Sequence, residues 1–424
     1  MLTKLLSGRP VFLTVFATIV SFCCYASMYA LRKAYLAADF SDSPQIWDLT
    51  YKSVLVIVQV LGYALSKVIG VKIVSEMSST RRAWALTGLV SVAALALVGF
   101  ALVPAPFNWP FMFLNGLPLG MVWGIVFSYL EGRQQTEVMG LGLCASFIFA
   151  SGFVKDVGRW LMAKGISEFW MPLAVAGIFL LPLLVCIWLL NQVPPPSETD
   201  QRNRTVRVPM LARDRRRFFY KFAPGLLLLI IVYALLTAYR DFRDTFMAEF
   251  WIELRGPDHA VSFSQTETPV SISVLLLLMF LVLVKDNLKA LLVNHVAIAL
   301  GLLLTGVATW AFSEKIISDL WWMGLTGFGT YLAYIPFNSI LFDRLIASVR
   351  TAANVGFLIY VADACGYVGS VGILLYKNIA EPELSWIEFF YGTGYLLAVA
   401  GGIGTAASAI YFWRTVRSRT IPET

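Results

Sequence analysis

Charge is what this chain has least of: Asp, Glu, Lys and Arg together make up 14% of its 424 residues, against about 25% in an ordinary soluble domain. A water-soluble fold is excluded, because too few polar side chains exist to cover it. Histidine is almost missing, with only His259 and His295. The five cysteines, Cys23, Cys24, Cys144, Cys186 and Cys365, all fall inside apolar stretches, so neither a disulfide framework nor a Cys/His metal site is expected. Also absent are a G-x-x-x-x-G-K-[ST] phosphate loop and a G-x-S-x-G nucleophile turn. An ATP-driven pump and an enzyme are therefore poor readings, and no cofactor is expected.

What fills the chain instead is apolar surface, 58% of residues with a mean hydropathy of +0.73. An apolar window of about 20 residues spans a bilayer. Such windows recur along the whole chain and lack the short alternation of a transmembrane barrel. Twelve spans are predicted, at 10–36, 51–74, 83–104, 107–130, 138–163, 170–191, 220–247, 267–285, 290–312, 318–342, 351–377 and 386–413. Trp84, Trp109, Trp170, Trp321 and Trp386 fall near proposed ends, as interfacial aromatics do. The stretch from Val11 runs on without a small-residue cleavage site and reads as a retained first helix.

The net charge of +7 is carried mainly by short stretches between windows, so nucleic-acid binding is not expected. With the N-terminus inside, 21 of the 33 basic residues fall in inner segments and 5 in outer ones. That asymmetry predicts two cytoplasmic termini. The long polar interruption at 192–219, PPPSETD followed by RNRTVRVPMLARDRRR, divides the chain into residues 1–191 and 220–424. It reads as a flexible basic linker lying at an anionic leaflet.

If the halves are duplicates, parallel matches should recur near half the chain length. YASMYALR (25–32) aligns with YALLTAYR (233–240) at an offset of 208, GLPLGMVWGIVFSYLEGR (116–133) with GFGTYLAYIPFNSILFDR (327–344) at 211, and GFVKDVG (152–158) with GYVGSVG (366–372) at 214. Three matches in order, with offsets rising smoothly, predict an all-α membrane protein of twelve transmembrane helices in two pseudo-twofold-related six-helix bundles. A monomer embedded in lipid is the expected unit.

YASMYALRKAY at 25–35, followed by YALSKVIGVKIVSEMSSTRR at 63–82, resembles the first helix and the helix 2–3 segment of the organophosphate:phosphate antiporters of the major facilitator superfamily. The loop departs from that pattern at Glu76, where the superfamily usually has aspartate, and at Met77, where it has a basic residue. The whole sequence also resembles a bacterial family of facilitator-like proteins with no assigned function. The resemblance implies arginines at the positions of Arg32 and Arg240 that hold a phosphoryl group, and a lysine at Lys67. The family's histidine on helix 5 has no counterpart here.

Seven basic residues remain in or beside the spans: Arg32, Lys33, Lys67, Lys155, Arg159, Arg240 and Arg243. Against Asp156, Asp241, Asp244 and Asp363 they leave an excess of three positive charges, which is costly unless an anion or a water-filled cavity compensates it. An anionic solute is therefore the expected partner.

Arg32 and Arg240, matched in the repeat, should reach one cavity from opposite sides and present paired forks to an oxyanion; the alternative is snorkelling toward the interface. Lys67 is either a substrate or gate contact or the partner of an acid on a neighbouring helix, and Lys33 is a weaker candidate. Asp156 and Arg159, three residues apart, read as a structural pair, with Lys155 freer to face a cavity. Asp363 is either paired with a base such as Lys155 or Arg32 or a proton relay. Tyr29, Tyr233 and Tyr239 are candidate hydrogen-bond donors to ligand oxygens, or packing residues. Glu76 and Arg81, Glu131 and Arg133, and Asp343 and Arg344 are candidate gate charges on the inner face, or plain surface ion pairs.

The reading that follows is a secondary active transporter, an antiporter, of a small organic anion, phosphorylated if the resemblance extends to substrate, working by alternating access. Two alternatives stand beside it: a proton-coupled carrier or exporter using Asp363, and a sensor or scaffold built on the same fold without turnover.

Overall fold

A computed structural model describes residues 2–75, 77–197, 200, 212–256, 261–349, 351, 355–380 and 383–420. Among the described residues, eleven helices are long and apolar enough to cross a membrane: α1 (Pro10–Ala37), α2 (Tyr51–Gly70), α3 (Ser79–Leu102), α4 (Trp109–Ser128), α5 (Thr136–Ala163), α6 (Met171–Leu190), α7 (Ala223–Thr245), α8 (Phe263–Val282), α9 (Asn287–Ser313), α11 (Val355–Ala380) and α12 (Trp386–Ser418). The twelfth, α10 (Asp319–Ser339), runs on through Leu341–Val349 after a bend of 48°. Among the described residues no named strand occurs.

Local chemistry explains where these helices break. Pro336 lies inside α10 just before its bend, and Pro118 lies inside α4 just before the irregular turn at Gly120 and Met121. Proline lacks the N–H and crowds the preceding turn, so a helix kinks beside it. One boundary differs from the sequence expectation in a way that matters. Helix α8 starts at Phe263 and not at 267, because Asp156 of α5 accepts from the Phe263 and Ser264 backbone N–H groups at 2.9 and 2.8 Å and so caps its first turn. Glu267 is thereby drawn inside the bundle.

The packing repeats across the two halves. Helix α1 packs on α5 and α6, and α7 packs on α11 and α12 in the same way. The halves meet where α2 lies against α11 and α5 against α8, contacts that a pseudo-twofold axis exchanges. At the α5–α8 seam a Cβ on Gly152 would stand 3.1 Å from the Phe263 carbonyl oxygen, tighter than ordinary contact, so glycine eases the close approach of these backbones. Large apolar side chains such as Leu95, Leu181 and Val399 point outward, as a lipid-facing surface requires. An even number of spans puts both chain ends on one face, called here the terminal face; the opposite one is the far face.

Candidate functional site

The polar core lies between the halves and is built mostly from α1, α2, α5, α7, α10 and α11. On α1, Tyr25, Tyr29 and Arg32 follow at intervals of four and three residues and therefore share one face; all three are buried. On α2, Tyr63 and Lys67 stand one turn apart. These five, with Trp123 and Phe147, line the near side of a central cavity, and Arg240, Tyr334, Asn338, Asp363 and Tyr367 line the other. The space open to a water-sized sphere is about 20 Å³, enough for a single water. The halves are closed around the site.

Arg32 is the one cavity cation without a counter-ion among the described residues. Its guanidinium lies 3.7 Å from the Tyr63 ring centroid, 5.9 Å from Tyr29 and 5.8 Å from Tyr367. Its Nε is buried with no hydrogen-bond partner. Its backbone, by contrast, is tightly held: Gln59 donates to the Arg32 carbonyl at 2.9 Å and Asn115 to the Leu31 carbonyl at 3.1 Å. A fixed backbone thus carries a cationic head, 3% exposed, whose charge no acid among the described residues balances.

The other cavity cations carry acids. Lys67 pairs with Asp363 at 2.8 Å, with the rings of Tyr63, Trp123 and Tyr360 about its ammonium group at 5.5, 5.5 and 5.3 Å. Tyr233 donates to the same carboxylate and lies 2.8 Å from the Tyr334 hydroxyl. Asp363 is thus paired, and its base is Lys67, not Lys155 or Arg32. Arg240 lies 4.0 Å from the Tyr334 ring centroid and pairs with Asp241 at 2.6 Å.

Several expected contacts lie elsewhere. Lys155 does not line the cavity; it shares Asp244 with Lys33 at 2.8 and 2.9 Å, and Ser151 donates to that carboxylate too. Tyr239 stacks on Phe390 at 4.4 Å within the second half. Asp156 and Arg159 do not pair with each other. The acid caps α8, and Arg159 donates to the Val261 carbonyl at 2.9 Å while covering the Phe263 ring. Glu267, missed because its segment read as a helix end, pairs with Arg243 at 2.8 Å and reduces the excess of buried positive charge from three to two.

On the terminal face Arg344 pairs with Glu137 of α5 at 3.0 Å. Asp343 makes no ion pair among the described residues, and Glu131 has a contact of its own. Arg133 is buried and donates to the Pro194 carbonyl. Arg81 is exposed, whereas neighbouring Arg82 donates to the Ser128 carbonyl at 3.0 Å. Glu76 lies outside the described residues. On the far face Lys52 pairs with Glu249 at 2.6 Å, a contact hidden in the sequence because both residues sit at span ends. Among the described residues no cluster of His, Cys, Asp and Glu has the make-up of a metal site.

Comparison with solved structures shows the fold. The chain is 12% identical to the proton:xylose symporter XylE bound to 6-bromo-6-deoxy-D-glucose, with a TM-score of 0.59 over 97% of this chain and 96% of that one. It is 11% identical to tetrameric PepTSo2, with a TM-score of 0.62 over 96% and 99%. With a bacterial homologue of the human lysosomal transporter Spinster, inward-facing and unoccupied, it shares 14% identity and a TM-score of 0.54 over 96% and 97%. At such identities the likeness is one of fold alone, and that fold is the major facilitator fold of twelve helices in two bundles. No curated protein matches the chain. The sequence profile of a family of unknown function (DUF5690) matches residues 34–415, nearly the whole chain, and the protein belongs to that family.

Proposed function

We propose that this protein is a secondary transporter that exchanges a small organic anion across a bacterial inner membrane by alternating access, with both termini cytoplasmic and one chain as the working unit. The observation that carries this reading is Arg32, a buried guanidinium at the centre of the interface between the halves with no carboxylate of its own among the described residues. Arg240 reaches the same cavity from the repeat-related helix, so one oxyanion can be held from both bundles. The transporter names of the structural neighbours support the class, and the excess of basic residues in the inner segments supports the orientation.

Exchange follows from electrostatics. An empty carrier crossing between states would keep Arg32 buried and uncompensated, a cost of several kcal/mol for a desolvated ion. An anion bound on both legs of the cycle removes that cost, which favours antiport over uniport. The proton-coupled alternative draws on Asp363, but engagement with Lys67 and Tyr233 favours a counter-ion role for it. The scaffold alternative has no use for an unpaired buried arginine.

The test is counterflow in proteoliposomes with a panel of labelled carboxylated and phosphorylated metabolites, for wild type and for Arg32→Lys. Lysine keeps the charge but loses the planar fork, so counterflow of the accepted anion should fall about tenfold or more. Unchanged counterflow in Arg32→Lys would remove Arg32 from the site. Anion binding without turnover in the wild type would leave the sensor reading.

A further inference from the structure

We infer that Asp241 sets the charge of the accepted anion, so that the site takes a singly charged oxyanion, such as a carboxylate, a sulfonate or a phosphodiester, in preference to a dianionic phosphate monoester. The inference rests on the anion-transport reading and sharpens it.

The charged side chains that line the cavity are Arg32, Lys67, Arg240 and Asp363. Taken alone they sum to a double positive charge. Asp241 does not line the cavity, but its Oδ1 accepts from Arg240 through Nη2 at 2.6 Å and Nε at 3.2 Å. Its Oδ2 accepts from Ser370 of α11 at 2.9 Å. Adjacent helix residues point about 100° apart, so Arg240 meets Asp241 by curling around its own helix, and Ser370 holds the acid in place from the neighbouring one. With Asp241 counted, the surplus in the cavity is a single charge, that of Arg32.

The remaining surplus charge of the bundle lies outside the cavity, in the Lys33–Asp244–Lys155 group. Lys33 and Arg32 of α1 act on Asp241 electrostatically but make no ion pair with it among the described residues. A monoanion can therefore neutralise Arg32 and share Arg240 without breaking an existing pair. A dianion brings one negative charge more than the lining can balance, unless Asp241 is displaced or the ligand takes up a proton.

Two probe sets decide the matter: benzoate, benzenesulfonate and phenyl phosphate, and their small counterparts acetate, methanesulfonate and methyl phosphate. Binding to the purified full-length wild type is measured by calorimetry at pH 5 and pH 8. A phosphate monoester loses its second proton near pH 6, whereas the sulfonates stay singly charged throughout and report any titration of the protein itself. The expected result is that affinity for each phosphate, relative to its sulfonate, rises about tenfold or more from pH 8 to pH 5. In Asp241→Asn the lining keeps its double charge, so the order at pH 8 should reverse in favour of the phosphates.

A ratio that stays flat or falls toward pH 5 in the wild type would overturn the inference, and this arm needs no variant to fold. An unchanged order in a folded Asp241→Asn would overturn it as well. Failure of the underlying reading looks different: no probe of either set would bind, or Arg32→Gln would bind them all as the wild type does.

Discussion

The two seams between the halves, one toward the far face and one toward the terminal face, are built differently. Toward the far face, Lys33 and Lys155 of the first half converge on Asp244 of the second, Lys52 meets Glu249, and Asp156 caps α8. Toward the terminal face, the ion pair between halves is Arg344 with Glu137, with side chains 12% and 13% exposed. Asp244 and its two lysines are more deeply sunk, at 9%, 7% and 1%. Buried charges cannot be parted cheaply unless water or another ion replaces the lost partner, and the cost grows with the depth of burial and with the number of charges left behind. The far face is thus held by an electrostatic lock and the terminal face by a lighter clasp.

A second asymmetry runs through the same contacts. Lysines of the first half cross the interface to acids of the second, at Lys33, Lys52, Lys67 and Lys155. Among the described residues, Arg240 and Arg243 of the core stay with acids of their own half and Arg32 has none, while Arg344 on the terminal face is the arginine that crosses. Lysine is a point charge on a flexible stem, suited to a contact that must form and break; the arginine fork is suited to a fixed oxyanion.

The largest effect is expected from Asp244→Asn, which leaves Lys33 and Lys155 buried without their carboxylate. Breaking a buried pair this way costs about 3–5 kcal/mol. Thermal melting of the detergent-solubilised protein should drop, and a cysteine placed at Ser262 should label faster from the far face. A melting point like that of the wild type would show that the lock is not electrostatic.

Next in size is Lys67 with Asp363, read by a double-mutant cycle. Either Lys67→Met or Asp363→Leu alone should cost about 3 kcal/mol or more, while the two together should be much less damaging, because no charge is then left alone. Additive losses would mean that the two residues act independently. Asp363→Asn tests coupling on the same pair. With Asp363 as counter-ion, Asp363→Asn leaves Lys67 uncompensated in the cavity, so counterflow and uphill uptake should fall together; loss of uphill uptake with counterflow retained would restore the proton relay.

The smallest effect should come from Glu137→Gln, a smaller loss in a thermal melt than that of Asp244→Asn, because Arg344 keeps its hydrogen bonds to the Lys285 carbonyl and to Asn287. A loss as large as that of Asp244→Asn would erase the difference between the two seams.

Much of this architecture was legible in the residues, and the parts that were not share a cause. Hydropathy placed the spans because a bilayer demands about 20 apolar residues whatever the neighbours are; the predicted 10–36 and 170–191 regions differ little from Pro10–Ala37 and Met171–Leu190. The repeat brought Arg32 and Arg240 to one cavity, since duplicated helices occupy equivalent places. Partners were another matter. Asp156 and Arg159, well spaced on one helix face, were expected to join, yet the free N–H groups of α8 offered the acid a better set of donors. Arg344, named with Asp343 as a gate candidate, meets Glu137 of the other half, a partner that the spacing did not indicate.

Sequence alone therefore determined the number of spans, the two-bundle plan, the presence of surplus positive charge in the membrane and the two arginines that face each other. Tertiary structure decided which carboxylate each base meets: Asp363 for Lys67, Asp244 for Lys33 and Lys155, Asp241 for Arg240, and, among the described residues, none for Arg32. The physical reason is range. Burial and helix periodicity are properties of a short stretch of chain and can be read from it. An ion pair is settled within about 4 Å by residues as much as 296 positions apart, as Lys67 and Asp363 are, and no local pattern records that distance.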